Sequence, residues 1–180
     1  MQLYQKNNRK NYMIYKNKKN LCQHDNISDK QNLKILSPTS IKKEIENHGY
    51  VLDLVWEKVF LTLKITKYEL IKLPLKDLYI DDWQDKNMGK CVKVKDSPNY
   101  KYLCGDKSEY ITRCQNEPSH SCEKFDELIK KFDQEGINKS NIICVDENNH
   151  IIDGAHRASW LVYKYGEKFN VVVLKVYIKN

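Results

Sequence analysis

The carboxy-terminal forty residues combine short apolar runs with one helical stripe. Ile142–Val145 and Val171–Ile178 are rich in β-branched residues, which predicts two buried strands. Asp146–Asn149 is typical of a hairpin turn, and 150–152 is predicted as the returning strand. Between the turn and the last strand, apolar residues recur at helical spacing: Ala158, Leu161, Val162 and Tyr165, with Gly166 after them. This stretch therefore predicts a hairpin, a helix and a last strand.

Two helices are predicted before the first strand. Pro38-Thr39-Ser40 is typical of a helix start, and Gly49 ends that helix. Apolar residues between Leu52 and Leu63 recur at spacings of three and four, which predicts a second amphipathic helix. Residues 1–35 are polar and aperiodic, which predicts a disordered basic arm. We divide the chain into that arm (1–35), a helical packing segment (36–67) and a folded domain (68–180).

The middle of the chain predicts short strands. Glu69–Leu73 has strand character, and Pro74 breaks it. Cys91–Lys95 alternates apolar and polar residues, as a half-buried strand does. A turn at Asp96–Asn99 is predicted to lead into a further strand at Tyr100–Leu103.

A third helix is predicted after these strands. Ser121 is a suitable cap, and Gly136 a suitable end, for a helix with the apolar stripe Phe125, Leu128, Ile129 and Phe132. Strands and helices mixed in this order predict an α+β fold, with a small mixed sheet and packed helices, preceded by a helical arm.

The net charge indicates which classes of partner suit this chain, and the cysteines bear on its cellular compartment. The 180 residues carry a formal net charge of +7, mostly from lysine, which suits an anionic partner such as a nucleotide, a nucleic acid or a membrane surface. With no apolar run of membrane-spanning length and no secretory signal, we expect a cytoplasmic protein whose six cysteines are free thiols. The basic arm, with Tyr4, Tyr12 and Tyr15 as stacking groups, is also interpreted as a nucleic-acid-binding or membrane-binding segment.

The segment Asp153-Gly154-Ala155-His156-Arg157 carries the most specific chemistry, because it stands where a buried strand meets a helix. Backbone N–H groups in a first helical turn lack intrahelical acceptors and lie at the positive end of the helix dipole, so they bind anions. Gly154 permits a left-handed backbone, and Arg157 adds a planar cation suited to phosphate. His156 is a candidate hydrogen-bond donor or proton carrier, and Asp153 a candidate cap, metal ligand or proton acceptor. Each residue also has an ordinary structural role; the combination favours an anion site.

Residues Ile151 to Ala158, with the hairpin before them and the β-rich strand after them, resemble the ParB/sulfiredoxin superfamily. The segment from Ile71 to Leu78 is similar to the opening strand and short helix of that family, so the resemblance covers 68–180. It implies that Gly154, Ala155, His156, Arg157 and Ala158 bind nucleotide phosphates.

The branches of this superfamily differ at the same turn. A partition protein would carry a DNA-reading helical region after the fold, and the sequence ends at Asn180 just past the last strand. A sulfinic-acid reductase resembles Gly-Cys-His-Arg, whereas Ala155 stands at the place of that reactive cysteine. The free-serine kinase branch resembles Asp-Gly-His-His-Arg and shares Asp153, Gly154, His156 and Arg157 with this chain.

The kinase resemblance implies a catalytic acid after the opening strand, where Asp81-Asp82 follows and Asp82 is the closer match. The alternative is that both aspartates belong to a solvated loop. A fainter resemblance to ParB-like proteins of polysaccharide gene clusters rests on Asp96–Tyr100, Gly105-Asp106 and Tyr110, and implies a sugar or polyol acceptor.

The resemblance therefore implies a nucleotide-dependent phosphotransferase acting on an amino acid, sugar or polyol. Asp153, His156 and Asp82 would be catalytic, and the cofactor would be a nucleoside di- or triphosphate with Mg²⁺ at Asp153. The alternative is a non-enzymatic module that uses the same turn to hold a nucleotide or a nucleic-acid backbone. A separate zinc site at Cys114, His120 and Cys122 is conceivable, but the spacing contains no Cys-x-x-Cys pair.

Overall fold

A computed structural model describes residues 36–50, 63–81, 91–116, 120–136 and 142–179. The predicted basic arm, most of the predicted helix between Leu52 and Leu63, and Asp82 lie outside these ranges. The described part of the chain contains no helix that is both long and apolar enough to cross a bilayer.

Six strands and five α-helices form the described structure. The strands are β1 (Ile65–Pro74), β2 (Tyr79–Asp81), β3 (Cys91–Lys93), β4 (Ile143–Val145), β5 (Ile151–Asp153) and β6 (Asn170–Ile178). The helices are α1 (Pro38–Asn47), α2 (Pro98–Leu103), α3 (Ser108–Asn116), α4 (Cys122–Glu135) and α5 (Ala155–Tyr165). Two single-turn 3₁₀ helices follow β1 and β3, at Leu75–Asp77 and Val94–Asp96.

Four strands build a mixed sheet in the order β1-β6-β4-β5. β6 pairs with β1 antiparallel and with β4 parallel, while β4 and β5 form an antiparallel hairpin. The strands β2 and β3 form a separate antiparallel hairpin, which meets the start of β5 through a bridge between Tyr79 and His150. The predicted α+β class with a small mixed sheet is confirmed.

Both faces of the sheet are covered, which explains why β4 and β6 have almost continuous apolar runs. Val173 of β6 faces α5 and α4, in the same cluster as Trp160 and Leu161. The next residue, Leu174, faces the opposite side, where α1 places Ile41 and Ile45 in full burial. Alternation along β6 thus supplies both layers. α1 is part of this second layer, and β1 already begins at Ile65.

One predicted strand is wrong. Tyr100–Leu103 lies in α2, because Ser97 caps that helix through its hydroxyl, which accepts from the Tyr100 N–H at 3.2 Å, and Pro98 occupies the first helical position. The capping pair therefore outweighed the strand preference of the tyrosines. Strand β3 is also shorter than predicted, since the chain turns into a 3₁₀ helix at Val94.

The predicted helices α4 and α5 are confirmed, with one misplaced side chain. Ser121 accepts from the Lys124 N–H at the start of α4, and Gly136 ends that helix with a φ of 65°. In α5, however, Tyr165 is 48% exposed, while Trp160 is buried and donates from Nε1 to Asp133 Oδ1 at 3.1 Å. Trp160 thus packs in the core where Tyr165 was predicted, because its indole N–H finds an acceptor on α4.

Candidate functional site

The strand-to-helix turn at Gly154 has the backbone that the sequence predicts. Asp153 ends β5, opposite Cys144, and Gly154 adopts a left-handed φ of 90°. A Cβ atom at Gly154 would lie 3.1 Å from Cγ1 and 3.3 Å from Cα of Ile143. The position therefore requires glycine for its conformation and for the close approach of β4.

The N-cap position of α5 is taken by the residue after Asp153, for which a capping role was one of three alternatives. Gly154 is the N-cap residue and has no side chain with which to accept from the first turn. The Ala158 N–H donates to Gly154 O at 2.8 Å, so this amide is already used within the helix. The Ala158 N–H is therefore engaged within the helix, whereas the amides of Ala155, His156 and Arg157 belong to the first turn, where an α-helix supplies no intrahelical acceptor.

Arg157 is more enclosed than an arginine on a helix surface. Its guanidinium carbon lies 5.1 Å from the ring centre of Phe132, on the neighbouring helix α4. Burial lowers the pKa of Arg157, while the negative charges of Asp153 and Glu135 act in the opposite direction. Arg157 is thus a partly buried cation that interacts with the carboxylate of Asp153 in the turn and with that of Glu135 at the end of α4.

His156 lies among aromatic rings. Its Nε2 atom is 2.8 Å from the hydroxyl of Tyr110, and its ring meets Phe125 edge-on at 4.6 Å between centres. Burial, helped by the positive charge of Arg113 and by His120, lowers the pKa of His156 to about 3. His156 is therefore neutral at physiological pH and adds no positive charge to the turn.

A buried polar group beside His156 is a feature that the sequence reasoning missed. Arg113 donates from Nη1 to Asn99 Oδ1 at 3.1 Å, and its Nη2 lies 2.8 Å from His120 Nε2. The His120 ring stacks on that of His156, with centres 5.8 Å apart. Arg113 is only 8% exposed, so the start of α5 has a second arginine nearby in addition to Arg157.

The sequence around Arg113 does not indicate its buried contacts. The residues near it come from three separate elements: Asn99 from α2, His120 from the segment before α4, and His156 from α5. Tyr110 reaches His156 of α5 directly, and Asn99 is joined to the same group through Arg113. Ser97 joins the same region, with its hydroxyl 3.4 Å from that of Ser159.

The remaining sequence candidates are placed as follows. Asp82 lies outside the described residues, and its neighbour Asp81 ends β2 with Oδ1 2.7 Å from His150 Nε2. Burial raises the pKa of the Cys114 thiol, and the neighbouring Cys122 thiol raises it further. His120 instead contacts Arg113 and His156, and among the described residues it forms no metal-binding group with Cys114 and Cys122. The five described cysteines are free thiols.

Comparisons with protein-family models, with curated proteins and with solved structures find no match to this chain.

Proposed function

We propose that this protein binds the phosphate groups of a nucleotide at the start of α5 and transfers a phosphoryl group to a small hydroxyl compound, as a ParB/sulfiredoxin-like protein. The observation that carries the proposal is the turn itself. Gly154, the N-cap residue of α5, has no side chain that could accept from the first-turn amides, and Arg157 stands in the same turn. An anion there would satisfy the amides and interact favourably with the helix dipole.

Charge near the turn supports a phosphate rather than a neutral ligand. Arg157 and Arg113 both lie beside the first turn of α5, and Arg113 is close enough to lower the pKa of His156. Arginine presents a rigid fork of donors that matches phosphate oxygens. Arg157 with the first-turn amides would form a donor set suited to a phosphate, and the buried Arg113, whose Nη1 donates to Asn99, would add positive charge nearby.

Asp153 gives the transfer reaction its acidic group. Mg²⁺ is commonly held by one or two carboxylates together with substrate phosphates, so a single carboxylate beside a phosphate site fits this ion. With Mg²⁺ at Asp153, charge on the transferred group would be neutralised, while the amides and arginines of this chain hold the nucleotide in position. Asp82 stays a candidate base.

A non-enzymatic nucleotide-binding module is the second candidate, and the position of His156 favours it. A proton carrier works best with a pKa near the working pH, whereas His156 has a pKa of about 3 and lies 2.8 Å from the Tyr110 hydroxyl. Without His156 as acid or base, transfer depends on Asp153 and on a base elsewhere.

Turnover distinguishes the two functions. The full chain with Mg²⁺ and a nucleotide should phosphorylate one member of a panel of amino acids, sugars and polyols, or slowly hydrolyse the nucleotide. Asp153→Asn should lower turnover at least tenfold and change nucleotide affinity less, because its carboxylate acts mainly on the transition state.

The matched control is Asp106→Asn, which removes an exposed carboxylate that caps Ser108. This variant should turn over like the parent. Tight nucleotide binding without turnover on any acceptor would replace the transferase proposal by the binding module. An Asp153→Asn protein as active as the parent would contradict the role of Asp153.

A further inference from the structure

Three side chains of different chemistry converge where the β2–β3 hairpin meets the start of β5. The ligand atoms of Asp81, Cys91 and His150 all lie within 4.8 Å of one another. Asp81 and Cys91 are direct partners across the hairpin, so their side chains emerge on the same face. The bridge between Tyr79 and His150 brings the imidazole to that face.

The backbone around His150 is fixed by its own turn. Asp146 Oδ1 accepts from the N–H groups of His150 at 2.9 Å and Asn148 at 2.8 Å. The Asp146 N–H in turn donates to His150 O, and the Tyr79 N–H donates to Asn149 O. These bonds fix the turn, and the bond from Tyr79 ties it to β2, so the backbone of His150 is held against the hairpin that carries Asp81 and Cys91.

The imidazole is buried and lacks a hydrogen bond on its Nε2 atom. His150 is 8% exposed, and Nε2 lies 2.7 Å from Asp81 Oδ1. Although this carboxylate oxygen is close, Nε2 has no hydrogen bond of acceptable geometry within the described part of the chain. Because burying a polar atom without a hydrogen bond is costly, a further group that bonds Nε2 would stabilise this arrangement.

We propose that Asp81, Cys91 and His150 bind a divalent transition-metal ion, with Zn²⁺ as the best fit. Imidazole nitrogen, thiolate and carboxylate are the donors that Zn²⁺ takes, whereas Mg²⁺ and Ca²⁺ take oxygen donors. Bond lengths of about 2.0–2.3 Å place the ligand atoms of a tetrahedral Zn²⁺ roughly 3.2–3.8 Å apart. The three ligand atoms lie within 4.8 Å of one another, so a shift of about 1 Å or less would bring each pair to that spacing.

Metal binding at this site releases one proton and uses one lone pair of the imidazole. The Cys91 thiol loses its proton to solvent as the metal–sulfur bond forms, while His150 binds the metal through the Nε2 lone pair. Three protein ligands leave the fourth tetrahedral position for water or another donor, the pattern of zinc sites that act on a substrate. The site is distinct from the phosphate turn, because His150 and Asp153 stand about 10 Å apart along β5.

Metal titration of the full chain tests this inference. After treatment with a chelator and dialysis, the protein should bind one equivalent of Zn²⁺ in competition with a chromophoric chelator. Loading with Co²⁺ should give a thiolate-to-metal charge-transfer band. Cys91→Ser should abolish that band and weaken Zn²⁺ binding at least tenfold, and Asp81→Asn should weaken binding while keeping the band.

Two controls match the variants. Cys104→Ser removes an exposed thiol and His48→Gln an exposed imidazole, and both should bind Zn²⁺ like the parent. Circular dichroism of each variant confirms that it is folded, and His150→Gln is a second way to remove a ligand. Unchanged Zn²⁺ binding in folded Cys91→Ser, or an equal loss in Cys104→Ser, would overturn the site. Absence of Zn²⁺ binding by the parent would leave Asp81 and His150 as a structural ion pair and would also overturn it.

Discussion

Strand β5 is only three residues long, and a different group of polar residues lies at each of its two ends. At the far end, Asp153 to Arg157 form one continuous segment, whose backbone amides and arginine are the donors of the proposed anion site. At the near end, His150 meets Asp81 and Cys91, which come from a different hairpin. The residues of the first group are neighbours in the sequence. Those of the second group come from three separate segments, which only the folded structure brings together.

Local sequence patterns therefore predict the first group but not the second. A strand-to-helix turn needs glycine because of local geometry, so Gly154 marks it in the sequence. The cluster at Asp81 depends on the antiparallel register of β2 with β3 and on one bridge to His150, and no local pattern carries that register. Sequence spacing drew attention instead to Cys114 and Cys122.

The largest effect is expected at the phosphate end. Gly154→Ala should lower the free energy of unfolding by about 2–4 kcal/mol, because the new Cβ meets Ile143 and the left-handed φ strains an alanine. Urea denaturation measures this loss. The matched control is Gly105→Ala, where φ is also positive at 101° and no atom lies within 4 Å of the added Cβ. Equal losses at both positions would show that contact with Ile143 is unimportant.

A histidine next to the turn should make stability depend on pH. The pKa of His156 is lowered from 6.5 to about 3, so below pH 6.5 the unfolded chain takes up a proton that the folded chain does not. This residue should therefore remove about 2 kcal/mol of stability as the pH falls from about 7.5 to about 5, and almost none above about 7.5.

His156→Gln should remove that share of the slope when unfolding free energy is plotted against pH. His48→Gln, which changes an exposed histidine at the end of α1, should leave the slope unchanged. A parent slope that survives in His156→Gln would show that His156 titrates normally in the folded protein.

A smaller effect is expected at the metal end. Asp146→Ala removes the acceptor of two backbone N–H groups and should lower the free energy of unfolding by about 1–2 kcal/mol. It should also weaken Zn²⁺ binding, because it loosens His150, and leave nucleotide binding unchanged. Asp146→Asn keeps an acceptor oxygen and should stay within about 1 kcal/mol of the parent. Parallel losses of Zn²⁺ and nucleotide binding would show that the two ends are coupled.

Much of the fold follows from the sequence, because several elements carry their own end signals. Ser121 and Gly136 bracket α4, and Gly154 and Gly166 bracket α5. The strand predicted at Tyr100 failed because the Ser97-Pro98 pair is a strong helix start that was assigned to a turn. The helix α3 was not predicted, since its apolar stripe is short and interrupted.

The candidate site was predictable only in part. The identity of the turn and its glycine follow from residues 153–157, but the state of His156 does not. Its low pKa depends on Tyr110, Phe125 and Arg113, which approach it from α3 and α4. Ala158 was predicted as a phosphate donor, and ordinary helix geometry gives its N–H to Gly154 instead.

The most direct test of the central claim is calorimetric titration of the full chain with nucleoside triphosphates, with and without Mg²⁺. Arg157→Gln, which keeps most of the side-chain volume over Phe132, should weaken nucleotide binding at least tenfold. Lys164→Gln, at the other end of the same helix, should bind like the parent. Nucleotide binding that is equal in the parent and in Arg157→Gln, or absent from the parent, would contradict a phosphate site at the start of α5.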